Sequence, residues 1–162
     1  MPRGRDCGTA FGALRILFRA HGYTRGMDSQ AIEARLREFL ASVAEREGIA
    51  AAYLFGSVAR GTARPGSDVD VGILYLEDPP LTLEGMGFEL EAELEKLLRL
   101  PVQVVVLNHV SVDLLIRVLR DGKLLVDRDR SARIRFEVET RFKFWDLEPY
   151  LRMYRRMGKE LH

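Results

Sequence analysis

Two aspartates, Asp68 and Asp70, stand two residues apart where an apolar run, Asp68 to Leu76, begins. Alternate side chains on a β-strand share a face, so both carboxylates project from one side. Held that close, they repel unless a cation sits between them, and hard oxygen ligands of this kind suit Mg²⁺. Upstream, Gly56 and Ser57 close another apolar run, Ala50 to Phe55, and open the next element. A strand-to-helix turn of this type offers backbone N–H groups and a hydroxyl to a phosphate. Arg60, on the same short segment, has a planar fork that matches phosphate oxygens. An anion cradle and a metal-binding acid pair within Tyr53 to Leu76 point to phosphoryl or nucleotidyl transfer from a metal-bound nucleotide. Each residue also has a plainer reading. Asp68 alone suits a turn, Gly56 a tight bend, Ser57 an N-cap and Arg60 a solvated surface. The turn reading suits Asp70 poorly, because a carboxylate inside an apolar strand is costly without a partner.

The elements that must position these groups follow from periodicity. Asp28 or Ser29 caps a helix carrying Ile32, Leu36, Phe39, Leu40 and Val43, which ends by Gly48. Ala50–Phe55 reads as a buried strand, Ser57–Ala63 as a short helix or turn ended by Pro65-Gly66, and Asp68–Leu76 as the second strand. A helix on Leu83, Met86, Leu90, Leu94, Leu97 and Leu98 follows, weakened early by Gly85 and Gly87 and stopped by Pro101. Val102–Leu107 is a third strand whose β-branched density predicts burial on both faces. Ser111 caps a helix with Leu114, Leu115, Val118 and Leu119, closed by Asp121-Gly122, and Lys123–Val126 is a short edge strand. From Ser131 the chain is helical, with a stripe of Ile134, Val138, Phe142 and Trp145, a break at Pro149, and a second stripe of Tyr150, Tyr154 and Met157. This order predicts a mixed α/β (α+β) sheet with helices packed on it.

A chain of 162 residues, 47% hydrophobic and 30% charged, makes one globular domain with a real core. Its 25 Lys+Arg nearly balance 24 Asp+Glu, so bulk charge does not single out nucleic acid as a partner. One cysteine, Cys7, excludes an internal disulfide framework and a Cys-based zinc site; a cytoplasmic location fits. No apolar run approaches a membrane span. Residues 1–26 carry five arginines against one acid and form a basic extension: loosely ordered, preceding a true start at Met27, or an amphipathic helix using Phe11, Leu14, Leu17 and Phe18. His21, His109 and His162 have no metal spacing.

The string GSVARGTARPGSDVDVGIL, residues 56–74, resembles the signature of the DNA-polymerase-β-like nucleotidyltransferases, and most closely their minimal nucleotidyltransferase (MNT) branch, in which Gly-Ser-x-Ala-Arg-Gly and Ser-Asp-x-Asp recur. The resemblance implies a nucleotidyltransferase core over residues 27–128 and a C-terminal helical appendage over 129–162 that serves as a partner interface. It implies metal ligation and catalysis by Asp68 and Asp70, nucleotide or phosphate binding by Gly56, Ser57, Arg60 and Ser67, Mg²⁺ as cofactor, and ATP or another NTP as substrate. Members of this branch are often antitoxins, which implies a HEPN-domain partner encoded nearby, in a homo- or hetero-oligomer. The segment Phe144-Trp145-Asp146-Leu147-Glu148-Pro149 resembles a C-terminal motif of such MNT proteins. The aromatic and basic residues of this region could stack on RNA, but a protein interface is the favoured reading.

One position departs from the pattern. These enzymes use a third carboxylate on the strand that follows the second helix, and here that position is Gln103. Glutamine can offer an amide oxygen but is no general base near neutral pH. Glu77, Asp78 and Asp113 are poor substitutes by position. Two outcomes stay open: AMP transfer to a protein hydroxyl, or a weak or inactive MNT fold that binds nucleotide and neutralises its partner sterically. Transfer to a small molecule would call for a substrate domain that this chain is too short to hold.

Overall fold

The computed structural model describes residues 28–80, 82 and 87–157. The basic extension, and Leu83 and Met86 of the second expected helix, lie outside the described residues. The elements are α1 (Ser29–Val43), β1 (Ile49–Phe55), α2 (Gly56–Ala59), β2 (Val69–Tyr75), α3 (Phe88–Leu98), β3 (Val102–Val106), a 3₁₀ turn (Leu107–His109), α4 (Val112–Asp121), β4 (Lys123–Asp127) and α5 (Arg130–Met157).

The four strands form one mixed sheet in the order β3-β2-β1-β4. β1 runs antiparallel to both β2 and β4, while β2 and β3 are parallel and joined by the α3 crossover. The apolar periodicities fall where they must to cover this sheet. Ile32, Leu36, Leu40 and Val43 of α1 and Leu90, Leu94 and Leu98 of α3 pack on one face, against Leu54, Val69, Val71, Ile73, Val102 and Val104. Leu115 and Val118 of α4, with Ala132 and Phe136 of α5, cover the other face over Ala51, Tyr53 and Leu74.

β3 departs from its expected burial. Val102, Val104 and Val106 are buried, but Gln103 is exposed and Val105 half-buried, because β3 is an edge strand covered fully on one face only. Its open edge is closed by side chains: Glu91 and Glu95 of α3 accept from the N–H groups of Val104 (2.9 Å) and Val102 (3.3 Å). On the opposite edge the Arg37 guanidinium donates to the carbonyls of Leu124 and Leu125 in β4. Charged groups on both edges disfavour addition of another strand.

The final helix differs most from expectation. α5 is continuous through Pro149 rather than broken there. Pro149 is exposed, so water can reach the carbonyl that loses its helical partner. The stripe of Ile134, Val138, Phe142 and Trp145 faces outward, while Phe136, outside that stripe, joins the core and Phe144 is half-buried. What fixes this orientation is a polar clamp. Arg133 donates to both carboxylate oxygens of Asp127 (2.9 and 3.0 Å) and to Glu137 (2.8 Å), and Glu137 accepts from the Tyr53 hydroxyl (2.9 Å). Thr140, one turn on, is buried with it.

The Arg133 hydrogen bonds hold the Asp127 carboxyl below its usual range. A depressed carboxylate stabilises the fold above its unfolded value and loses that contribution as pH falls through the folded one. Arg133→Met is expected to cost about 2–3 kcal/mol in urea unfolding, since hydrogen bonds to charged groups are broken. The variant should also lose much of the acid sensitivity that the wild-type chain shows below about pH 4.

Candidate active site

The site forms where three strand ends meet. Phe55 at the end of β1 is opposite Asp70 at the start of β2, and Asp70 is opposite Gln103 in β3. Val69 and Val71 point into the α1–α3 core, so Asp70 between them points to the other face, the face that carries α4 and α5. Gln103, between buried Val102 and Val104, opens beside it. Asp68 lies just before β2, exposed, rather than within the strand as expected.

Gly56 has no room to be anything else. Its φ is +73°, and an added Cβ would collide with the Asp70 carboxylate, 2.8 Å from its Cγ. The Asp70 side chain therefore rests against the bare backbone at the entry to α2. Val58 and Ala59 are buried and anchor this single turn, leaving the leading amides of Gly56, Ser57 and Val58 at its N-terminus. Helix N-termini of this kind attract anions.

The loop that carries Asp68 is tied at two points. The Thr62 N–H and hydroxyl donate to the Ser57 carbonyl (2.9 and 3.4 Å). Ser67 closes a turn on Arg64: its hydroxyl accepts from the Arg64 N–H and its own N–H donates to the Arg64 carbonyl, both at 2.9 Å. Ser67 thus shapes the loop that delivers Asp68, and its hydroxyl is already engaged.

The charges explain what the site asks for. Burial pushes the Asp70 carboxyl up from its usual value, the negative charge of Asp68 pushes it further, and Arg60 opposes both. A carboxylate raised in the folded state stabilises most when protonated, and that contribution is lost as pH rises through the folded value. Near neutral pH the ionised pair is therefore a local liability, which a cation would relieve. Arg60 is exposed and acts on two acids, since it also lowers Asp121, whose chief partner is Arg120. Sequence reasoning missed Asp121 because Asp-Gly there signalled only the end of a helix. The register brings it close: Leu54 pairs with Lys123, and the backbone of Gly122 abuts the Leu54 carbonyl.

The donor set fits one divalent ion held by two carboxylates. Among the described residues no cluster of three or more His, Cys, Asp or Glu forms a fuller cage. Asp78 is held by Asn108 and Asp113 by Arg117, both away from this end of the sheet. The remaining ligands of such an ion would be water and phosphate oxygens. Asp70→Asn is expected to raise the melting temperature of metal-free protein at pH 7; Mg²⁺ is expected to raise that of the wild-type chain and not that of the variant. Calorimetry with and without EDTA checks both.

Residues 38–131 match the family model described as polymerase beta, nucleotidyltransferase. The chain belongs to that family. The fold is also similar to that of solved structures. One described as a minimal nucleotidyltransferase is 35% identical, with a TM-score of 0.51, covering 61% of this chain and 97% of that one. A toxin–antitoxin with AMP-PNP is 23% identical at a TM-score of 0.64, over 78% of this chain and 98% of that one. A tri-AMPylated Shewanella oneidensis HEPN toxin in complex with MNT antitoxin is 22% identical at 0.61, over 83% and 99%. No curated protein matches the chain. Among the described residues no helix is long and apolar enough to cross a membrane.

Proposed function

We propose that this nucleotidyltransferase domain is an MNT-type antitoxin of the cytoplasm that transfers AMP from ATP to a hydroxyl of a HEPN-type toxin, a tyrosine being the favoured acceptor. The observation that carries the reading is the contact of the Asp70 carboxylate with the bare Gly56 backbone, which sets this acid beside the N-terminus of α2. The AMP-PNP and AMPylated-toxin assemblies of structural neighbours support the choice of nucleotide and acceptor.

In this reading Asp68 and Asp70 would hold Mg²⁺, which would supply positive charge that neutralises the phosphates and makes the α-phosphorus more electrophilic. The amides of Gly56 and Ser57 and the Ser57 hydroxyl bind the β- and γ-phosphates, and Arg60 screens their charge. Ser67 keeps Asp68 in place through its turn with Arg64. The acceptor oxygen bonds to the α-phosphorus, the bond from that phosphorus to the α–β bridging oxygen breaks, and pyrophosphate leaves with the electron pair. The acceptor proton passes to water, because Gln103, in register beside Asp70, cannot take it.

That same register favours a second reading: a slow or inactive fold that binds nucleotide and blocks its toxin sterically. Loss of a general base typically slows transfer by about a hundredfold or more. Incubating the chain with labelled ATP, Mg²⁺ and the neighbouring HEPN-type protein is expected to label that protein, and Asp68→Asn/Asp70→Asn to abolish both label and protection of cells. Protection retained by the double variant would establish steric neutralisation instead. Gln103→Glu is expected to raise the labelling rate by about a hundredfold, and an unchanged rate would mean that proton removal does not limit the reaction.

A further inference from the structure

The last residue of α4 is an acid, Asp121. A helix C-terminus carries partial negative charge, so a carboxylate there is disfavoured. Its side chain is also only 25% exposed. Two guanidinium groups offset this. Arg120 donates from Nε and Nη2 to the two carboxylate oxygens, at 2.7 and 2.8 Å, a bidentate pair. Arg60 acts by charge alone, without a hydrogen bond.

Arg60 belongs to another element. It is the residue that ends α2, and α2 packs against both β2 and α4. The pairing of Leu54 with Lys123 and the approach of Gly122 to the Leu54 carbonyl bring the end of α4 to the end of β1, where α2 starts. The same guanidinium opposes the rise of Asp70, again by charge alone. Arg60 thus stands between an acid of the candidate site and an acid outside it, exposed and hydrogen-bonded to neither.

A guanidinium claimed from both sides is hard to draw toward a phosphate, because turning away leaves each acid with uncompensated charge. A divalent ion at Asp68 and Asp70 would satisfy one side. Arg120 already satisfies the other: with two hydrogen bonds of its own, Asp121 stays paired when Arg60 turns away. Without Arg120, Arg60 would be the cation left to offset Asp121 at the negative end of α4. Lys123, next along the chain, is engaged by Glu33.

We propose that Arg120 is a positioning residue for the phosphate site: its bidentate hold on Asp121 releases Arg60 to turn to the phosphates of a nucleotide. The role rests on the functional reading, in which Arg60 serves those phosphates. If Arg120 did no more than close the end of α4, its removal would cost stability in the same way with or without Arg60.

Calorimetric titration of the full chain with AMP-PNP and Mg²⁺ separates the two in a mutant cycle. Arg120→Ala is expected to weaken binding by about threefold to fivefold, and adding Asp121→Asn to restore it. Arg60→Ala should weaken binding by itself, and Arg120→Ala should then have no further effect. Without nucleotide, NMR titration of the Asp121 carboxyl should show its pKa rising on Arg60→Ala, and rising more when Arg120 is already alanine. Arg120→Ala without effect on binding, an effect that persists in Arg60→Ala, or one that Asp121→Asn leaves unrepaired would each overturn the role and leave nucleotide binding standing. An Asp121 carboxyl indifferent to Arg60 would overturn it as well. A wild-type chain that binds no AMP-PNP would overturn the functional reading and this role with it.

Discussion

The candidate site depends on one close approach: the Asp70 side chain lying against a glycine backbone. Gly56 must be glycine twice over, because its φ is positive and because a Cβ would occupy the carboxylate's place. The antiparallel register that sets Phe55 opposite Asp70 brings the two strands to this point, and the buried Val58 and Ala59 hold the helix turn that follows. The domain around it is a platform for that contact. α1 and α3 fix one face of the sheet, and α4 and the first half of α5 fix the other.

The contact places a partly buried negative charge beside a second one, with Arg60 opposing the rise of Asp70. A folded protein tolerates this arrangement at a cost to its stability. Under the proposed function that cost would turn into affinity when a divalent ion and a phosphate chain arrive, because each supplies the charge that the other lacks. Gln103 limits the effect. In register with Asp70, it replaces a possible third negative charge with a neutral amide and lowers the demand for a second metal ion.

Much of this was legible in the sequence, and the exceptions share a cause. The acid pair, the glycine turn and the four strands read directly from spacing and apolar runs, because local chemistry fixes them. The neighbour relation of Asp70 and Gln103 was inferred from family pattern, and the parallel register gives it a physical basis. Misreadings arose where tertiary context decides. The burial of β3 depended on its place at the edge of the sheet. α5 was rotated relative to its own apolar periodicity, because Arg133, bonded to Asp127 and Glu137, turns Phe136 inward and leaves Trp145 outside. The apolar stripe lies at the surface, and no periodicity argument could say which side of the helix packs. Asp121 was overlooked for the same reason: only the pairing of β4 with β1 carries it toward the site.

The central claim is that the Gly56 turn and the two aspartates act together as one metal–nucleotide site. Paramagnetic broadening of backbone amides by Mn²⁺, recorded with and without ATP, tests it most directly. With ATP present, trace Mn²⁺ should first erase the amide signals of Gly56, Ser57, Asp68 and Asp70, then that of Gln103, and the effect should be much weaker without nucleotide. Broadening centred elsewhere, or centred on these amides but indifferent to ATP, would contradict the account.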